Sequence, residues 1–298
     1  MFNPSRGQPE IQWREGVSEK TAIPVGKYLE LEAGRKLHYH EAGTRSAAKP
    51  TILFLHGSGP GASGYSNFKG NMPAVAGAGF HALVPDYLGY GLSSKPEDLE
   101  YSTDLHVAAI KALLDSLGIT KVVPVGNSLG GAIALQFTLT YPDMVPKLVL
   151  MAPGGLQEPQ EYAFTMAGVL RMMQFISTRP YELDGFKDLL AHLVHDPRHV
   201  TDEAVAERWP VALEQPMGVY ATMKVGVYAD RLGEIKCPVL AFWGSHDKFL
   251  PVAHAQILLE RVPQAKVIIS NQCGHWVMIE DRDYFNSEIL AFLARDVA

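Results

Sequence analysis

In the run Lys121-Val-Val-Pro-Val-Gly-Asn-Ser-Leu-Gly-Gly131 a β-branched stretch breaks directly into Gly-x-Ser-x-Gly, and Ala132-Ile-Ala-Leu-Gln-Phe137 follows at once. The pattern reads as strand, sharp turn, helix. Such a turn holds its serine in a strained backbone conformation, with the hydroxyl projecting at the mouth of a parallel sheet and a helix N-terminus directly behind it. Gly126 and Gly130 flank Ser128 where side chains would crowd the turn. The five-residue motif is short enough to arise by chance, so its meaning depends on the strand before it and on partner residues placed after later strands.

The rest of the chain supplies that context. Alternating stretches around Leu29 to Glu32 and Lys36 to Glu41 predict an opening antiparallel hairpin. Thr51–Leu55, Ala82–Pro85, Val122–Val125, Leu148–Met151, Val239–Phe242 and Lys266–Ile269 are short apolar runs, mostly ended by Gly, Pro or Asp. They predict buried parallel strands covered by helices. From Gly154-Gly155 to about Gly233 the rhythm stops, and Phe164, Met166, Met172, Met173, Phe175 and Phe186 recur at loosely helical spacing. This segment is expected to be a helical lid whose apolar residues mostly pack on the core, with a few left to line a pocket. The expected organisation is an N-terminal extension (1–25), an α/β core (26–153 and 234–298) and a lid (154–233). No repeat or low-complexity segment stands out.

Composition narrows the partners. With 298 residues and 47% hydrophobic content, the chain can bury a large core. A net charge of −6 gives no reason to expect nucleic acid or an anionic membrane, so any anionic small molecule must be met by a local cation. The first ten residues lack the basic and apolar segments of a signal peptide, and no apolar stretch is long enough to span a bilayer, so a cytoplasmic location is expected. Cys237 and Cys273, the two cysteines, lack metal-type spacing and are expected to be reduced thiols. His192, His195 and His199 mimic helical metal-ligand spacing, but Pro197 interrupts them and no carboxylate array matches, so no metal is expected.

A serine hydroxyl needs a base, a group that orients the base, and donors for a developing oxyanion. Trp243-Gly-Ser-His-Asp247 follows one apolar run and places Asp247 in the loop at its end; Gln272-Cys-Gly-His-Trp276 follows the next and places His275 likewise. The order Ser128, Asp247, His275 is the nucleophile, acid, base order of the α/β-hydrolase fold. The glycine-rich loop His56-Gly-Ser-Gly-Pro-Gly-Ala62 brings backbone amides close to a ligand, and the amides of Ser58 and Leu129 are assigned to the oxyanion hole. Gly57, Gly59 and Ala62 also fit a dinucleotide fingerprint, but Pro60 and further glycines stand where its helix should begin and the usual ribose-binding acid is not clear. A Walker phosphate loop is excluded by the missing Gly-Lys-Ser/Thr.

Taken together, His56-Gly-Ser-Gly-Pro-Gly-Ala62 with Asn67, Gly126-Asn-Ser-Leu-Gly-Gly131, Met151-Ala-Pro-Gly-Gly-Leu156, Glu207-Arg-Trp209 and Gly274-His-Trp276 resemble the meta-cleavage-product hydrolases. These cleave carbon–carbon bonds in aromatic and steroid ring degradation. The resemblance covers nearly the whole chain after residue 25. It implies an α/β-hydrolase fold with an inserted helical lid, a 2-hydroxy-6-oxohexa-2,4-dienoate substrate, 2-hydroxypenta-2,4-dienoate and a carboxylic acid as products, no metal or organic cofactor, and a homodimer or larger assembly. It further implies that Arg208 pairs with the dienoate carboxylate and 2-oxygen, and that Asn67, Asn127 and Trp276 complete a polar subsite. Read from residue type alone, Arg208 would be a helix-surface ion pair with Glu207 or Glu203, Asn127 a turn amide, Trp276 core packing and Asn67 a cap.

Two other functions use the same residues. A carboxylesterase or lipase-like hydrolase would share the triad without needing Arg208, and a small-molecule receptor would bind without turnover. Epoxide hydrolase and dehalogenase chemistry are disfavoured, since those relatives use an aspartate where Ser128 stands. The sequence leaves open the substituent on the distal ketone, and whether an acyl-enzyme forms or water attacks the ketone directly.

Overall fold

All six apolar runs are strands in the computed structural model, which describes Ile23 and residues 26–295. The strands are β1 (Lys27–Glu30), β2 (Lys36–Ala42), β3 (Thr51–Leu55), β4 (Ala82–Pro85), β5 (Val122–Ser128), β6 (Leu148–Pro153), β7 (Val239–Gly244) and β8 (Ala265–Ser270). They form one sheet in the order β1-β2-β4-β3-β5-β6-β7-β8. β1 and β2 make the expected hairpin, β2 pairs antiparallel with β4, and every pairing from β4 to β8 is parallel. The fold is the expected α/β-hydrolase architecture. The expected N-terminal extension lies almost wholly outside the described residues.

Period-two alternation within the apolar runs loads both faces of the sheet. Leu53, Leu55, Leu148, Leu150, Ala241 and Trp243 join one core with the helices Thr103–Ser116 and Leu129–Thr140. Ile52, Phe54, Val149, Met151, Leu240 and Phe242 join the other with the helix Arg282–Ala294. One expectation of burial fails at the margin. β8 is an edge strand, so Ile269 is half exposed.

Between β6 and β7 the chain leaves the sheet for helices at Pro159–Tyr162, Ala167–Ser177, Leu183–His192, Asp202–Glu214 and Gly218–Ala221. Phe175 and Phe186 of this insertion are buried in the second core, whereas Phe164 is exposed. Among the histidines singled out above, His192 bonds the Asp188 carbonyl at 2.9 Å and His195 stacks on His246 with centroids 3.9 Å apart. Cys237 and Cys273 are unbridged, and burial pushes both thiols up to about 11.

Behind the loop after β3, Tyr87 is stacked between His56 and His106, with ring centroids 4.1 and 4.8 Å away. The Tyr87 amide donates to His56 Nε2, so the proton sits on His56 Nδ1 and is donated to the Gly57 carbonyl at 2.7 Å. Burial lowers His56 from 6.5 to about 4 and His106 to about 3. Both rings bind a proton more weakly folded than unfolded. Stability is therefore full above pH 6.5 and is lost as pH falls toward 4, by about 2 kcal/mol for each histidine between pH 7 and pH 5. Urea unfolding at these two pH values should show that loss, and His106→Phe, which keeps an aromatic ring in the stack, should remove about half of the loss assigned to the two rings.

Candidate active site

Because β3, β5, β6, β7 and β8 are parallel, the loops at their C-terminal ends meet at one edge of the sheet, where ligands bind in open α/β folds. Ser128 closes β5 with φ 57° and ψ −117° and stands at the N-terminus of the helix Leu129–Thr140. A non-glycine residue with this backbone costs on the order of 1–3 kcal/mol and persists only where its surroundings enforce it. Here they do so by close packing. A Cβ on Gly126 would lie 2.2 Å from the Gly130 carbonyl oxygen, and one on Gly130 would lie 2.0 Å from that of Leu55. The Ser128 carbonyl accepts from the Gly154 amide at 2.9 Å.

The loops after β7 and β8 are locked together by backbone. Ser245 N donates to Ser270 O at 2.8 Å and His246 N to Cys273 O at 3.1 Å, while Gly244 leaves no room for a Cβ against Cys273 and Gly274. This contact brings Asp247 Oδ2 to 2.7 Å from His275 Nδ1. The other carboxylate oxygen accepts from the Phe249 and Leu250 amides at 2.7 and 3.0 Å. With Asp247 acting only as an acceptor, the imidazole donates from Nδ1 and keeps a lone pair on Nε2. His275 is further held by its amide, which donates to Leu193 O from the inserted segment at 2.9 Å.

Arg208 is 2% exposed. Its Nη2 donates to Ser66 O at 3.0 Å and to Asn67 Oδ1 at 2.9 Å, and its guanidinium lies 4.3 Å from the Trp276 ring centroid. The surface ion pair that residue type alone suggested is absent. Glu203 and Glu207 both pair with Lys69 instead, each at 2.7 Å. Burial lowers Arg208 to about 10, so it stays cationic at neutral pH, and it forms no ion pair among the described residues. Asn67 sits in the short helix Gly64–Phe68, which is fixed by Ser63 capping the Ser66 amide and by the Gly64 amide donating to buried Asp86 at 2.7 Å.

Ser58, Asn67, Asn127, Ser128, Leu129, Arg208, His275 and Trp276 all line one cavity of about 240 Å³. Asp247 lies behind it, reached through His275. Asn127 spends its amide donors on Met151 O (3.3 Å) and His275 O (3.2 Å), so it braces the β6 strand and the histidine loop and leaves Oδ1 buried without a partner. Sequence reasoning missed several supports: Leu193 and its carbonyl, Glu280, whose carboxylate accepts from Gly274 N at 2.6 Å, and Lys69, which draws the acids away from Arg208. A glycine was the readable signal for one of them, since a Cβ on Gly274 would lie 3.0 Å from Leu193 O.

Residues 50–282 match the family described as alpha/beta hydrolase fold. The chain is 35% identical over 286 residues to a 2-hydroxy-6-oxononadienedioate/2-hydroxy-6-oxononatrienedioate hydrolase of Paraburkholderia phymatum, covering 92% of this chain and 98% of the relative. It is also 35% identical over 267 residues to a 2-hydroxy-6-oxo-6-phenylhexa-2,4-dienoate hydrolase of Burkholderia cepacia, covering 87% and 91%. Among solved structures, the meta-cleavage product hydrolase CumD of Pseudomonas fluorescens superposes with a TM-score of 0.77 at 28% identity, over 90% of this chain and 97% of that one. A hydrolase fold with a strained serine, a histidine held by aspartate and a buried arginine in one cavity is thus matched along its length by these three relatives: the chain belongs to the meta-cleavage-product hydrolases of the α/β-hydrolase fold family.

Proposed function

We propose that the chain hydrolyses the bond between C5 and the C6 ketone of a 2-hydroxy-6-oxohexa-2,4-dienoate, giving 2-hydroxypenta-2,4-dienoate and a carboxylic acid through Ser128, His275 and Asp247. The observation that carries this reading is Arg208, a buried cation without an ion-pair partner among the described residues, on the wall that also holds Ser128 and His275. A buried unpaired charge is costly and calls for an anion. A planar guanidinium facing the cavity suits the carboxylate and 2-oxygen of a dienoate.

Expelling a carbon requires somewhere for its electrons to go. The dienol first becomes a keto tautomer, with the 2-hydroxyl losing a proton and C5 gaining one, assisted by His275. Ser128 Oγ then adds to C6 while its proton passes to His275 Nε2, and Asp247 stabilises the imidazolium. The Ser58 and Leu129 amides receive the oxyanion. The C5–C6 bond breaks, its electron pair enters the dienolate held by Arg208, and the His275 imidazolium gives up its proton to the 2-oxygen, which returns the imidazole to its neutral form. Water activated by His275 hydrolyses the acyl-serine. In this reading Asn67 orients Arg208, Trp276 supports it from below, and Asn127 holds the His275 main chain.

The insertion at 154–233 serves as the lid. The same reading makes the protein a cytoplasmic homo-oligomer acting on a small molecule, with no nucleic-acid or membrane partner; light scattering tests the assembly. No helix among the described residues is long and apolar enough to cross a membrane.

Loss of dienolate absorbance tests the chemistry. Ser128→Ala should abolish turnover. Asp247→Asn should lower kcat by about 10³–10⁴-fold, because the histidine loses the acceptor that sets its tautomer. Arg208→Gln should lower kcat/KM on dienoates by about 100-fold or more while aryl-ester cleavage stays nearly unchanged. An enzyme that cleaves aryl esters and leaves every dienoate intact would be an esterase instead.

A further inference from the structure

A second wall of the cavity is of a different kind. Tyr162, Val169, Met172 and Met173 form it, all from the insertion. Its helix Ala167–Ser177 is seated on the loop after β7: Gly168 N donates to Lys248 O at 2.8 Å, and a Cβ on Gly168 would meet the Phe249 ring at 2.5 Å. Arg208 is instead anchored to Ser66 and Asn67 after β3, with β5 and β6 lying between β3 and β7 in the sheet. Ser128, at the end of β5, stands between the two seats.

Among the described residues that line the cavity, Arg208 alone carries a permanent charge. The nearby cations are engaged or turned elsewhere. Arg171 pairs with Asp188, Arg179 lies over the Tyr181 ring and bonds Gln215 O, and Lys248 does not line the cavity although Phe249 beside it does. The Tyr162 phenol is pushed up to about 12 by burial and stays neutral. A carboxylate placed against this wall would be desolvated without a counter-charge. A cavity of about 240 Å³ also falls below the range of about 300–1,000 Å³ common for drug-sized ligands, which limits the group to something compact.

We infer that this wall selects substrates whose distal ketone bears a compact uncharged apolar group, a short alkyl chain or a single aryl ring, and rejects those carrying a second carboxylate there. The inference rests on the dienoate reading above and sharpens it. Identity does not make this choice. The relative named for a 6-phenyl substrate and the one named for a dienedioate, whose ninth carbon is a carboxylate beyond the ketone, are equally similar at 35%.

The test compares kcat/KM of the wild-type chain on three compounds: the 6-methyl and 6-phenyl 2-hydroxy-6-oxohexa-2,4-dienoates and 2-hydroxy-6-oxonona-2,4-dienedioate. At least one of the first two should exceed the dienedioate by about 100-fold or more. A dienedioate turned over within about tenfold of the better of the two would overturn the inference while leaving the dienoate reading standing. Failure on all three compounds would instead remove the dienoate reading itself. Met172→Lys, which puts a cation into the wall, should raise the dienedioate to 6-phenyl ratio by about tenfold or more, and an unchanged ratio would count against the wall as the selector.

Discussion

Backbone pressed on backbone at the Ser128 turn is the constraint on which the site depends. Gly130 packs against the carbonyls of Leu55 and His56, Gly131 against Pro153, and Gly126 against the start of the following helix. These contacts hold the ends of β3, β5 and β6 at one level and force Ser128 into a backbone conformation it would not adopt alone. Side chains cannot make such contacts, because any Cβ would separate the strands' ends and let the serine relax.

Two buried charges near that turn are treated in opposite ways. Asp86 is fully buried and satisfied, accepting from His38 Nδ1 at 2.8 Å and from the Gly64 and Leu92 amides at 2.7 and 2.8 Å. Hydrogen bonds to its charged form hold it below the usual carboxylate range despite burial, and it fixes the helix that carries Asn67. Arg208 has two hydrogen bonds and an aromatic face but no opposite charge. The first arrangement is structural. The second stores an unmet electrostatic demand beside the serine, which is how a site holds affinity for an anion.

The proposed triad was legible because each member follows a strand signal and the sheet is parallel, so three loops far apart in sequence had to emerge at one edge. The proposed polar subsite was legible only through resemblance. Nothing in Glu207-Arg208-Trp209 distinguishes a cavity cation from a surface ion pair; that depends on Lys69, 138 residues away from Glu207, reaching the two acids first. Asn127 shows the same gap, since its amide spends its donors on two carbonyls from separate loops.

Local pattern alone determined the strands, the strained turn and the order of serine, acid and base. These follow from short-range sterics and periodicity, which are written into neighbouring residues. Tertiary structure decided which cation is left unpaired, which face of the insertion looks into the cavity, and that this face bears no second charge. Those properties belong to the space between distant segments, where burial and the competition of partners set the outcome.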